Sequence, residues 1–195
     1  MSQSPPQPTE RELEPEIRAF INVFDQFKAD VDEMVAEMDR DAFNRRPDET
    51  SWSVAECIDH LSRTAEVGVG KLDEAIEKGQ RRGTTGSGPF RYGWLSRWLV
   101  RQASEYPPKL KAKAPKNMRP RTNLDIDKAV AEFKRWQEEY IARVKAANGL
   151  DLRRVKAVSA VTKLVRMPLG AFFQFYAGHQ RRHMLQAKDI RKRLS

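Results

Sequence analysis

IRAFINVFDQFKADVDEMVAEM, residues 17–38, places apolar side chains at Ile17, Phe20, Ile21, Phe24, Phe27, Val31, Met34, Val35 and Met38. Steps of three and four residues gather them on one stripe of an α-helix, and a stripe that long must pack on something. Downstream, Ser53-Val54-Ala55-Glu56 is a capping-box pattern, in which the serine hydroxyl and the glutamate carboxylate reciprocally satisfy orphan backbone donors. It predicts a second helix from near Trp52, with Val54, Cys57, Ile58, Leu61, Ala65, Gly68, Leu72, Ala75 and Ile76 on its stripe. Gly68 would allow close helix approach, and Gly79 is the expected stop. Ile126, Val130, Phe133, Gln137, Tyr140, Ile141 and Val144 mark a third helix that Asn148-Gly149 ends, and Pro168 sets up a last one from about Leu169 to Leu194. No strand alternation and no internal repeat stands out. Four amphipathic helices, each with one apolar stripe, need a common core, so the expected fold is an all-α four-helix bundle.

The chain has 195 residues, of which 39% are apolar and 32% charged, enough for one ordinary domain. Residues 1–9 read as a mobile tail, and residues 10–195 as a single domain. Residues 80–123 interrupt it between the second and third long helices: a Gly, Thr and Arg stretch, a short amphipathic helix carrying Phe90, Trp94, Trp98 and Leu99, then a loop of prolines among lysines. Lys plus Arg is 36 against 27 Asp plus Glu, a formal charge of +9, which favours acidic partners or substrates but sets no fold. The TTGSG of residues 84–88 matches neither a P-loop nor a dinucleotide fingerprint. No run approaches the roughly 18 apolar residues of a membrane span, and MSQSPPQPTERELEPE has no apolar signal core, so a cytoplasmic protein without membrane contact is expected. A single cysteine, Cys57, excludes an internal disulfide and cysteine-rich zinc sites, leaving His, Asp or Glu for any metal.

The 3 histidines carry the main functional signal. His179 and His183, four residues apart, project from one helix face and can share an ion. They fall among Phe172, Tyr176 and Ile190 on the face that should point inward, with Gln186 beside them. His60 sits on the flank of the second helix's stripe. Spacing alone leaves two readings open, buried histidines satisfied by hydrogen bonds and ligands of one ion. Glu56 is explained by the capping box, yet lies one turn before His60 and could accept an imidazole N–H. Cys57 reads as a small buried apolar group.

Trp52-Ser53-Val54-Ala55-Glu56 followed by His60-Leu61, and far downstream His179-Gln180-Arg181-Arg182-His183-Met184-Leu185-Gln186, together resemble the DinB-like, or YfiT-like, superfamily of bacterial proteins. The resemblance spans most of the chain. It implies an up-down-down-up four-helix bundle, frequent homodimerisation, and a divalent metal held by His60, His179 and His183. Glu56, Tyr176, Arg182 and Gln186 then become candidates for the pocket or for hydrogen bonds behind the ligands. Gln180 stands where relatives often carry an acidic residue. Family members of known activity are largely transferases or isomerases using low-molecular-weight thiols, including bacillithiol transferase and mycothiol-dependent maleylpyruvate isomerase enzymes.

The first functional expectation is therefore a metal-dependent transferase or hydrolase acting on a small-molecule substrate, with a low-molecular-weight thiol as a candidate cosubstrate. The ion stabilises thiolate or hydroxide at neutral pH. Imidazole ligands suit zinc or nickel first, then manganese or iron. Metal affinity is expected to fall below about pH 6.5, the ordinary histidine pKa. The alternative is a non-enzymatic, stress-associated binding protein with a structural or vestigial metal site. Its basic segment, with Arg91, Arg97, Arg101 and Trp94 and Trp98, carries no specific nucleic-acid motif.

Overall fold

The computed structural model describes residues 12–109, 113–159 and 165–194, so the expected tail at 1–9 lies outside the described residues. Helix α1 (Pro15–Val35) buries Ile17, Phe20, Phe24, Phe27, Val31 and Met34, while Val35 and Met38 lie at the edge of the core. A short helix α2 (Arg40–Asn44), too brief to show periodicity, begins at Asp39, whose carboxylate accepts the Ala42 N–H at 2.7 Å. It fully buries Phe43.

Helix α3 (Val54–Arg81) starts at the expected capping box on Ser53. It does not stop at Gly79. That glycine is a packing residue, since a Cβ there would stand 2.8 Å from Val155 Cγ2; the left-handed turn falls instead at Gly83, φ 56°. After helix α4 (Trp94–Ser104) and a 3-10 turn at Lys116–Met118 comes α5 (Ile126–Ala146), capped by Asp125 and closed before Gly149 at φ 80°. The last helix, α6, spans Leu169–Leu194.

The contacts fix the helix directions. Lys28 pairs with Glu138 and Asp32 with Lys134, so α1 and α5 are antiparallel. Asp73 pairs with Arg143 and Gln80 bonds the Ala146 carbonyl, so α3 and α5 are parallel. His60 meets His183 and Gly68 meets Tyr176, which makes α3 and α6 antiparallel; Phe20 meets Phe173 and Met34 meets Arg191, which makes α1 and α6 parallel. The bundle is up-down-down-up. Its core holds Phe24 stacked on Tyr140 at 5.0 Å and Phe20 against Phe173 at 5.3 Å. Truncating one such ring costs about 3–5 kcal/mol.

This topology gives residues 80–123 a structural task. Because α3 and α5 run the same way, the chain must return along the bundle, whose α3 has 28 residues and so measures about 42 Å. The segment is the crossover itself. Its helix α4 starts at Trp94 rather than Phe90 and packs on α6, where Gly178 admits Ser104: a Cβ there would lie 2.0 Å from Ser104 Oγ. Two of its aromatics point outward, Trp94 being 74% and Trp98 47% exposed. A second difference from the sequence reading is a two-stranded antiparallel ribbon, β1 (Lys156–Val158) with β2 (Arg166–Pro168). It pairs buried Ala157 with buried Met167 where α5 hands over to α6.

Candidate metal centre

His60 lies in the second turn of α3, and His179 and His183 face it from α6. One potential ligand nitrogen from each lies within 4.8 Å of the others, and the ring centroids are 4.6–5.3 Å apart. The indole of Trp52, just before the α3 cap, covers His60 at 4.8 Å and His183 at 5.6 Å. Phe175 stacks parallel to His179 at 6.4 Å, one turn earlier on α6.

Hydrogen bonds set the tautomers. His60 Nδ1–H donates to the Met118 carbonyl at 2.7 Å, so its Nε2 keeps the lone pair. His183 Nδ1–H donates to Gln186 Oε1 at 2.9 Å, and Arg182 Nη2 approaches His183 Nε2 at 3.3 Å, donating to the lone pair there. His179 Nδ1 is buried and has no hydrogen-bond partner among the described residues. Burial, the neighbouring imidazoles and Arg182 push the His179 and His183 pKa values well below the ordinary 6.5; His60 is lowered too, mainly by burial and against its bond to Met118. Three neutral imidazoles with inward lone pairs and an orphaned buried nitrogen suit a divalent cation.

The Met118 carbonyl is delivered by the crossover. Asp59, buried next to His60, accepts from the Arg121 backbone N–H at 2.6 Å and from its guanidinium at 3.0 and 2.5 Å. That clamp binds the end of the crossover to the start of α3 and brings the 3-10 turn over the imidazole. Neither Asp59 nor Met118 was expected from the sequence, because each acts through a partner about 60 residues away.

Of the other anticipated residues, Gln186 holds His183 as a hydrogen-bond acceptor. Tyr176 and Arg182 line a cavity of about 370 Å³ together with the three histidines, Trp52 and Phe172. Glu56 does not reach His60: its carboxylate accepts the Ser53 backbone N–H and is paired with Arg46, so it belongs to the cap. Cys57 is buried and its thiol is pushed far up in pKa by that burial, so it is no nucleophile. Gln180 is buried, and neither atom of its amide has a partner among the described residues.

The sequence profile of the DinB superfamily matches residues 24–187. Among solved structures the chain is similar to YfiT from Bacillus subtilis, described as a probable metal-dependent hydrolase with an unusual four-helix bundle topology. The identity is 14% and the TM-score 0.60, over 99% of this chain and 94% of that one. At that identity the likeness is one of fold. No curated protein matches the chain.

Proposed function

This chain belongs to the DinB superfamily, and from that premise we propose that it is a divalent-metal-dependent enzyme, an S-transferase for a low-molecular-weight thiol or a hydrolase. His60, His179 and His183 are the ligands, and zinc or nickel the first candidates, before manganese and iron. The observation that carries the reading is the convergence of these three neutral imidazoles at the wall of a cavity large enough for a small molecule. A bound ion supplies Lewis acidity, lowering the pKa of a thiol or water that reaches it. The chain's own residues do the positioning: Met118 and Gln186 hold the His60 and His183 rings in the tautomer whose Nε2 carries the lone pair, while Trp52 packs on those two rings and Phe175 on His179.

A purely structural site is less well supported. Structural zinc is normally closed by four protein ligands, whereas no Cys, Asp or Glu joins the three histidines among the described residues. The test is metal analysis of protein purified without a histidine tag, followed by parallel assays of thiol transfer to an aryl halide and of ester hydrolysis. The reading expects about one metal per chain and one of the two activities, lost on chelation. No metal, with neither activity after zinc or nickel is added, would sink it. We also propose a homodimer, supported by the exposed Trp94, Leu95 and Trp98 on α4.

A further inference from the structure

Among the described residues, none that lines the cavity beside the three histidines is an Asp or Glu. Its described lining is mostly apolar, including Leu99, Met167, Phe172 and Phe175, with two cations, Arg182 and Lys113. The stretches 110–112 and 160–164, which adjoin Lys113, Ser159 and Val165 in the chain, also contain no Asp or Glu in sequence. Arg182 is half-buried, yet no carboxylate lies within ion-pair distance of it among the described residues. Among the described residues its guanidinium makes two long contacts, Nη1 to the Gln102 carbonyl at 3.4 Å and Nη2 to His183 Nε2 at 3.3 Å. The half-buried Arg143, by contrast, holds two carboxylates, those of Asp73 and Glu139, while Arg63, also half-buried, donates to the Asn117 carbonyl.

A desolvated cation without a counter-charge is costly, and the cost is removed when an anion binds. Three neutral imidazoles would leave the full charge of a divalent ion uncompensated, which adds to the same demand. Ligation through His183 Nε2 would also take up the lone pair that Arg182 Nη2 now reaches, freeing that donor for a ligand.

We propose that the cavity receives an organic carboxylate with an apolar or aromatic body, its carboxylate held by the forked donors of Arg182 and its body by Phe172, Phe175 and Leu99. The guanidinium suits a carboxylate because two parallel N–H donors meet its two oxygens. This deepens the proposed function by naming the substrate class of the same site.

The probe pair is phenylacetate and its neutral isostere phenylacetamide, titrated calorimetrically into the full chain, metal-free and zinc-loaded. Zinc affinity is measured on the same samples. Phenylacetate is expected to bind about tenfold to a hundredfold more tightly than the amide, the range of a charge-assisted hydrogen-bonded pair. Arg182→Met should abolish that preference while keeping zinc, and Arg182→Lys should retain part of it, which separates lost recognition from a lost fold. Equal binding of the two probes, a preference unchanged in Arg182→Met, or no binding of either up to millimolar concentration overturns the proposal. Carboxylate preference without zinc binding would instead leave this inference standing and remove the metal reading.

Discussion

Gln186 and His183 separate a ligand from its support. His183→Ala deletes a ligand, and zinc affinity should drop by well over a hundredfold. Gln186→Ala removes only the acceptor of the His183 Nδ1–H bond, and affinity should fall by about 10–100-fold, the usual effect of losing a partner behind a ligand. Competitive titration against a chromophoric chelator measures both. Equal affinities for parent and His183→Ala would remove His183 from the ligand set. The same residues set the pH response. Burial first, then the neighbouring positive charges, lower all three histidine pKa values, so the folded site stays unprotonated below the ordinary value of about 6.5. Metal affinity should therefore hold through pH 6.5 and fall only lower, at more acid pH than the sequence alone suggests. The metal-free fold behaves differently. Between 6.5 and the lowered values the unfolded chain binds more protons than the folded one, so stability is complete above about pH 6.5 and is lost as the pH drops. Denaturant titrations of metal-free protein at several pH values check this, and stability that rises on acidification would contradict it. The histidines were legible because an i, i+4 pair on an inward face is a local pattern. Met118, Asp59 and Arg121 were not, since their roles depend on a contact between the start of α3 and the end of the crossover.

At the scale of elements, the contact between α3 and α6 depends on Gly68, where a Cβ would fall 1.9 Å from Tyr176 Oη and 2.6 Å from Cζ. Gly68→Ala must push Tyr176 aside, and Tyr176 also lines the cavity and packs on Tyr140. A loss of about 1–3 kcal/mol is expected, as for an overpacked core. Tyr176→Phe in the same chain should recover only part, because the ring carbons still obstruct the new methyl. Chemical denaturation of the two single variants and the double variant gives the coupling; strict additivity would place the tyrosine elsewhere. The long helices were readable from the sequence because each repeats its apolar stripe over five or more turns. The β1–β2 ribbon was not, because three-residue strands such as Lys156–Val158 are too short to show alternation. Gly79 misled for a related reason: a glycine in a helical pattern serves equally as a stop or as a close-packing point, and only the position of Val155 decides between them.

For the whole molecule, up-down-down-up order explains why a long crossover joins α3 to α5 and why that crossover builds one wall of the cavity. It also leaves α4 outside the bundle, where Trp94, Leu95 and Trp98 lie exposed beside Arg97 and Arg101. A second copy covering this face would bury aromatic surface worth about 25 cal/mol per Å². Light scattering across micromolar concentrations should give the mass of a dimer, and Trp94→Glu with Trp98→Glu should give a monomer with the bundle intact. A parent protein that stays monomeric throughout would contradict this assignment. The central claim is that one divalent ion is held by His60, His179 and His183 with a coordination position open to the cavity. Crystals of tag-free protein loaded with zinc, measured at the zinc absorption edge, test it most directly. The account predicts one strong anomalous peak per chain, about 2.0–2.1 Å from a nitrogen of each of the three histidines, with no fourth protein ligand. A peak bound elsewhere, or none at the three histidines in zinc-saturated crystals, would contradict it.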